Sequence, residues 1–91
     1  MISEHIIVHN LKGIHLTPAG YLCKEAINYE SHIAIRIGNK EVNAKSVLGV
    51  LSACIKNGQE IEIICNGSDE EKALHAIVKL IKNGLGEKVT Q

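Results

Sequence analysis

The chain has 91 residues, 45% of them hydrophobic, which suits one small domain with a modest core. Ten basic and ten acidic residues cancel, and only two residues are aromatic, both tyrosines. This composition excludes bulk attraction to nucleic acid and a base-stacking platform for single strands. With no run of 18 apolar residues and no signal-peptide layout, we expect a cytoplasmic protein without membrane insertion.

The first half of the chain predicts a strand, a helix and a hairpin. Residues 1–9 are rich in isoleucine and valine and alternate imperfectly, which is typical of a strand. Residues 18–29 repeat apolar side chains at i, i+3, i+4 and i+7, which predicts a helix. Residues 32–37 place isoleucines at every second position, and the following Gly-Asn predicts a tight turn into residues 40–42.

The second half predicts a short helix, a strand and a longer helix. Ser46 is a good N-cap for a helix over residues 47–54, and residues 60–65 alternate like a strand. Ser68 begins a capping box followed by acidic residues, which predicts the start of the last helix. Its apolar stripe consists of Leu74, Ile77, Val78 and Ile81, and Gly84 ends it.

The predicted order is β-α-β-β-α-β-α. Because the strands have one apolar face and the two longer helices one apolar stripe, two layers follow. We therefore expect an α+β fold in which helices cover one face of a small antiparallel sheet and the other face is exposed.

Cofactor and metal motifs are missing from the sequence. Cys23, Cys54 and Cys65 lack metal-type spacing, and we expect free thiols. On a strand, His5 and His9 would be about 13 Å apart, too far to share one ion. Without a GxxxxGK, HExxH or Cys-x-x-Cys motif, the sequence predicts no metal site and no cofactor.

The stretch around His15 is the candidate functional site. Thr17 is a good N-cap and Pro18 is favoured at the first helical position, so a helix is predicted to begin here. His15 would then lie just outside a helix N-terminus, where unpaired amides and the helix dipole favour an anion. An imidazole is a nucleophile toward phosphorus, so the stretch is suited to hold a transferable phosphoryl group.

Two separated motifs resemble the HPr family, the histidine-containing phosphocarriers of the bacterial sugar phosphotransferase system. They are Gly13-Ile14-His15 followed by Pro18-Ala19, and the run from Lys45 to Val50. The resemblance extends from the first strand to about Glu87. It implies an open-faced β-sandwich with strand order 1-4-2-3, forming a single domain over residues 1–91.

The resemblance also implies a function. His15 would accept a phosphoryl group from enzyme I and pass it to enzyme II A-domains, so the protein would be a phosphoryl carrier rather than an enzyme. The backbone near Leu16 and Thr17, with Pro18, would support the phosphoryl group. Lys24, Val47, Leu48 and Leu51 would bind partners, and the last three are expected to form a partly exposed apolar patch next to His15.

Thr17 departs from the family pattern, which has an arginine at this position. A guanidinium makes charge-assisted bonds of about 1.5–3 kcal/mol each, whereas threonine offers one neutral hydroxyl. Phosphorylation of His15 is therefore expected to be slower by about one to two decades. Lys12 or Lys24 could supply a substitute cation.

Ser46 is the second candidate site. The resemblance implies phosphorylation by HPr kinase/phosphorylase and, in the phosphorylated form, binding to catabolite control protein A. The added charge of about −1.5 to −2 would lie close to His15 and oppose docking of an acidic enzyme I. A serine here is also explained by helix capping alone.

Three functions remain open at this stage. The first is a phosphocarrier that uses His15 and is regulated at Ser46, which retention of the histidine favours. The second is a regulatory module similar to Crh, acting mainly through phosphorylated Ser46 with weak or no phosphotransfer, which the loss of the arginine favours. The third is a divergent interaction domain with neither activity.

Overall fold

The computed structural model describes residues 1–86, and within them the predicted element order is confirmed. The strands are β1 (Ile2–Ile7), β2 (His32–Ile37), β3 (Lys40–Asn43) and β4 (Glu60–Asn66). The helices are α1 (Leu16–Ala26), α2 (Val47–Ser52) and α3 (Glu70–Lys82). Residues 87–91, including Glu87 at the end of the resemblance, lie outside the described part. No helix in residues 1–86 is long and apolar enough to cross a membrane.

The four strands form one antiparallel sheet in the order β1-β4-β2-β3, which confirms the order that the resemblance implies. Alternating side chains on one face of the sheet are buried: Ile6, Ile33, Ile35, Ile61, Ile63 and Cys65. The buried stripes of α1 and α3 join these side chains in a single hydrophobic core. The fold is the expected α+β open-faced β-sandwich.

The opposite side of the sheet carries charged side chains that pair across the strands. Arg36 lies 3.0 Å from a carboxylate oxygen of Glu41 and 3.6 Å from one of Glu62. His5 lies 3.4 Å from Glu60 and 3.7 Å from Glu62. We call this surface, defined by these five residues, the outer sheet face.

Three elements are shorter than the sequence predicts. β1 ends at Ile7 rather than at residue 9, α1 at Ala26 rather than 29, and α2 at Ser52 rather than 54. After α1, the amides of residues 28 and 29 donate to carbonyls three residues back, which is a tightened turn. After α2, Cys54 has a φ of +53°, which ends the helix.

The predicted capping box at Ser68 is wrong, because Asp69 is the N-cap residue and its side chain does not cap α3. The Asp69 carboxylate instead accepts hydrogen bonds from the amides of Glu30 at 3.0 Å and Ser31 at 2.9 Å. The Ser31 hydroxyl donates to it as well, and this bond is the main cause that lowers the pKa of Asp69. Asp69 thereby ties the α1–β2 connection to the start of α3.

Gly84 ends α3 as predicted, with a φ of +89°. The amides of Gly84 and Leu85 donate to the carbonyls of Ile81 and Leu80, which is the bonding pattern of a Schellman motif. The Leu85 side chain is completely buried. The chain after α3 is thus held against the core rather than projecting from it.

The three cysteines are unpaired thiols, with Cys23 and Cys65 buried and Cys54 exposed. Burial raises the pKa of Cys65 to about 11 and also raises the pKa of Cys23. Both thiols therefore stay protonated at neutral pH and act as small apolar side chains of the core.

Candidate functional site

His15 lies in the connection between β1 and α1, which two distant segments hold in place. The buried Asn10 side chain donates from Nδ2 to the carbonyl of Gly84, just after α3, at 2.7 Å. The Ile14 amide donates to the carbonyl of Ile55, shortly after α2, at 2.9 Å. The residues that lead into His15 are thereby fixed against two separate parts of the chain.

Gly13 is the point of closest approach between this connection and the segment after α2. Its φ is +70°, and a Cβ atom built on it would lie 2.3 Å from the carbonyl oxygen of Ile55. The same atom would lie 3.0 Å from the Cα of Lys56. Only glycine satisfies both the left-handed backbone and this contact.

His15 itself is the N-cap residue of α1, so the prediction that Thr17 is the N-cap is wrong. The carbonyl of His15 accepts the Ala19 amide at 2.9 Å, so the helix begins two residues earlier than predicted. Pro18 is therefore the third helical residue rather than the first. Its fixed φ suits any position in the first turn, so proline alone did not locate the helix start.

The first turn of α1 presents backbone donors to an anion. By helix geometry the amides of Leu16 and Thr17 have no acceptor within the helix, and this turn contains no acidic residue. Pro18 is buried and has no amide hydrogen, so it shapes the turn but cannot donate. A phosphoryl group on the half-buried His15 would meet two donors at the positive end of the helix dipole.

Helices α1 and α2 pack together in antiparallel directions. At one end the Ile14 amide bonds to Ile55, and at the other the Lys45 ammonium donates to the carbonyl of Tyr29 at 2.6 Å. Ser46 is at the second end, and α1 between the two ends is about 16 Å long. Ser46 thus begins α2 near the end of α1, whereas His15 precedes the start of α1.

Ser46 is the N-cap of α2, as predicted. Its hydroxyl oxygen accepts a hydrogen bond from the amide of Gly49 at 3.0 Å, and the side chain is half-buried. The cap matters for a helix of only six residues that contains a glycine.

The partner-binding side chains predicted from the sequence differ in exposure. Leu48 is 79% exposed, whereas Val47 and Leu51 are half-buried and pack against the core. Leu16, at the His15 end, is 65% exposed. Val47, Leu48 and Leu51 are therefore partly exposed as a set. We call the exposed part of residues 8–29 and 44–59 the α1–α2 surface.

Charges on the α1–α2 surface are unbalanced, although the chain as a whole is neutral. Its residues include four lysines and a single acidic residue, Glu25. Lys24 is exposed in the last turn of α1, about 12 Å along the axis from the helix start. Lys56, by contrast, has its backbone against Gly13, and no sequence pattern connects it with His15.

Comparison with known proteins places this architecture in a family. The family model described as the phosphorylation site of the HPr component of the phosphotransferase system matches residues 2–83. A phosphocarrier protein HPr from Treponema pallidum is 34% identical over 87 residues, covering 96% of this chain and 99% of the relative. An HPr-like protein Crh from Halalkalibacterium halodurans is also 34% identical, covering 90% of this chain and 98% of the relative.

A solved structure agrees with these sequence matches. The crystal structure of HPr-C-His from Thermoanaerobacter tengcongensis superimposes with a TM-score of 0.92 at 35% identity, covering 98% of this chain and all of the other. The fold, the position of His15 before α1 and the matched residues together lead to one conclusion. This chain belongs to the HPr/Crh family of phosphocarrier proteins.

Proposed function

We propose that this protein carries phosphoryl groups in a sugar phosphotransferase system, accepting them on His15 from enzyme I and donating them to enzyme II A-domains. The observation that carries the proposal is the position of His15 as N-cap of α1, beside the backbone donors of Leu16 and Thr17. Family members are carriers rather than catalysts, and the proposed role has the same character.

The transfer is an exchange of bonds at phosphorus. A ring nitrogen of His15 forms a P–N bond while the bond between phosphorus and enzyme I breaks, and the second transfer reverses these roles toward the A-domain. Protonation of the other ring nitrogen makes the imidazole a good leaving group in that second step. The surrounding protein supplies orientation and charge stabilisation through the first-turn amides.

The partners follow from the character of the α1–α2 surface. Exposed Leu16 and Leu48 offer apolar contacts, and the excess of lysine favours acidic partners. Lys24, Val47 and Leu51 complete the proposed contact area. Enzyme I and the A-domains would bind here in turn, in the cytoplasm.

Ser46 is proposed as the regulatory site, modified by HPr kinase/phosphorylase and then read by catabolite control protein A. A phosphate on Ser46 would place negative charge on the α1–α2 surface that an acidic partner must cover.

The second candidate function is a Crh-like regulatory module with weak or no phosphotransfer. Thr17 favours it, because the family's arginine is missing from the first turn beside His15. Relatives named HPr and Crh match this chain at the same identity, so similarity does not separate the two functions.

Labelling with enzyme I and phosphoenolpyruvate separates them. For a phosphocarrier we expect an acid-labile, base-stable phosphoryl group that His15→Ala abolishes and Ser46→Ala retains. HPr kinase with ATP should label the wild type, and Ser46→Ala should abolish that second label. Absence of the first label over hours, with the second present, would reject the phosphocarrier and support the regulatory module.

A further inference from the structure

We propose that Lys56 supplies the cation for the phosphoryl group on His15, replacing the arginine that Thr17 lacks. The inference rests on the proposed function, because it concerns the same phosphorylated histidine. Lys56 is 41 positions from His15 in sequence, and the sequence pattern around His15 does not indicate a contact between them.

The backbone places Lys56 beside the site. Its Cα lies 3.0 Å from where a Cβ of Gly13 would be, and the neighbouring Ile55 carbonyl accepts the Ile14 amide at 2.9 Å. Gly13 is two residues from His15, which limits the separation of their Cα atoms to about 7 Å. A four-carbon side chain from Lys56 can therefore reach a group attached to the imidazole.

The position of Lys56 is fixed on both sides by hydrogen bonds. Its amide donates to Oε1 of Gln59 at 2.6 Å, and its carbonyl accepts the Gln59 amide at 3.1 Å. The same turn is joined to the end of β1, since Val8 bonds to the Gln59 carbonyl and the Gly58 amide. The attachment point of the side chain is thus as well defined as that of His15.

The Lys56 ammonium is available for a ligand. Lys56 is exposed, and within residues 1–86 its ammonium has no ion pair and no hydrogen bond. Other lysines nearby are occupied or distant. The ammonium of Lys45 donates to Tyr29 and that of Lys40 to the carbonyl of Ser52, while Lys24 is at the far end of α1.

Lys12 is the matched control, since it is also exposed and near His15 in sequence. It occupies the turn that the Gly13 amide closes by donating to the Asn10 carbonyl at 2.8 Å. Lys56, in contrast, has its Cα against the backbone that leads into His15. Replacing either lysine by glutamine removes one charge and keeps a long polar side chain.

The test uses the full chain phosphorylated with potassium phosphoramidate, which needs no enzyme I. A ring nitrogen of histidine attacks phosphorus, the P–N bond of the reagent breaks and ammonia leaves. The pKa of phosphorylated His15 is then measured by ³¹P NMR titration. A nearby cation disfavours the protonated ring, so Lys56→Gln should raise this pKa by about half a unit. Lys12→Gln should change it less, and Lys56→Arg should restore the wild-type value.

A kinetic measurement then separates this proposal from the proposed function. With enzyme I as donor, Lys56→Gln should lower kcat about fivefold and change KM little, because the contact is to the transferred group. If the titration shows no difference from Lys12→Gln, the role of Lys56 is rejected whatever enzyme I does. If enzyme I labels no variant while the titration difference is present, the phosphocarrier function fails and the Lys56 contact stands.

Discussion

The α1–α2 surface and the outer sheet face are both exposed, but their charges are arranged in opposite ways. On the outer sheet face, Arg36 lies near the carboxylates of Glu41 and Glu62, and His5 lies near those of Glu60 and Glu62, so these side chains find their partners in the same chain. On the α1–α2 surface, lysines outnumber acidic residues four to one and exposed leucines lie among them. The charged side chains of the outer sheet face are paired within the chain, whereas the α1–α2 surface is complementary to an acidic and partly apolar partner.

The difference shows why overall charge is a poor guide to this protein. Its formal charge of zero argues against bulk attraction to nucleic acid, but it hides a local excess of positive charge around the candidate site. Neutrality arises because the acidic residues concentrate on the sheet and on the first turn of α3. The comparison predicts that substitutions on the two surfaces have different consequences.

The largest expected effect is a loss of stability when the backbone contact between Gly13 and Ile55 is disrupted. Gly13→Ala should destabilise the protein by about 2–4 kcal/mol, because it combines left-handed strain with a clash against the Ile55 carbonyl. Gly38→Ala is the control, since Gly38 also has a positive φ, +58°, but open space around it. Urea denaturation measures both. Equal losses would show that the Ile55 contact contributes nothing.

The next largest effect is a change in the KM for enzyme I, which should distinguish the α1–α2 surface from the outer sheet face. Leu48→Ser should raise the KM for enzyme I about tenfold, since docking would bury a leucine that is now exposed. Arg36→Gln, on the outer sheet face, should leave this KM unchanged despite losing two ion pairs. Steady-state phosphorylation assays on both variants check this. A similar KM increase from Arg36→Gln would mean that partners also bind the sheet.

Restoring the missing guanidinium should give a smaller gain in rate. Thr17 is exposed in the first turn of α1, so Thr17→Arg fits without steric cost and should accelerate phosphorylation of His15 at least several-fold. Thr17→Gln adds length without charge and should leave the rate near that of the wild type. The gain is expected in addition to the proposed Lys56 contact, because a guanidinium can bind two phosphoryl oxygens at once and an ammonium acts as a point charge. An unchanged rate for the arginine variant would show that Lys56 alone meets the requirement.

Ser46 substitutions should have effects of about 1 kcal/mol. Ser46→Ala removes the acceptor for the Gly49 amide and should lose about that much stability, while Ser46→Asp keeps an N-cap and should lose little. The aspartate should slow phosphorylation by raising KM, since its charge would oppose docking of an acidic enzyme I. Melting curves and enzyme I kinetics measure the two properties. If both variants show equal kinetics and HPr kinase does not label the wild type, Ser46 acts only as a helix cap.

The smallest effect concerns the pH dependence of stability that arises from the half-buried Asp69. Hydrogen bonds from Ser31 and Glu30 lower its pKa in the folded protein, so its contribution to stability is present above about pH 4. That contribution disappears as pH falls through the lowered folded pKa. Asp69→Asn should therefore be less stable than wild type at neutral pH and approach it in acid. Thermal melts across this range should converge, and parallel curves would contradict the assignment.

Sequence periodicity predicted the fold well because its signals are local. Alternating isoleucines in β2 and β4, the Ser46 cap and the Gly84 stop each depend on residues within a few positions. The strand order came from the resemblance, since periodicity does not determine which strands become neighbours. His15 was identified as a candidate from the predicted helix start together with the resemblance.

The errors occurred where a side chain bonds outside its own element. Ser68 begins a capping box by sequence, but Asp69 is used to hold the α1–β2 connection, so the box does not form. The approach of Lys56 to Gly13 depends on a contact between two distant backbone segments. These are tertiary facts, and no local pattern encodes them.

The bond from Asn10 to Gly84 also has a consequence for how the protein is made. It joins residues 74 positions apart, so the loop before His15 cannot close against its support until the end of α3 has been synthesised. During translation, α1 and its histidine leave the ribosome long before that partner does. A nascent chain therefore has His15 early but lacks the complete loop that positions it, and the proposed phosphotransfer would begin only after synthesis of this last segment.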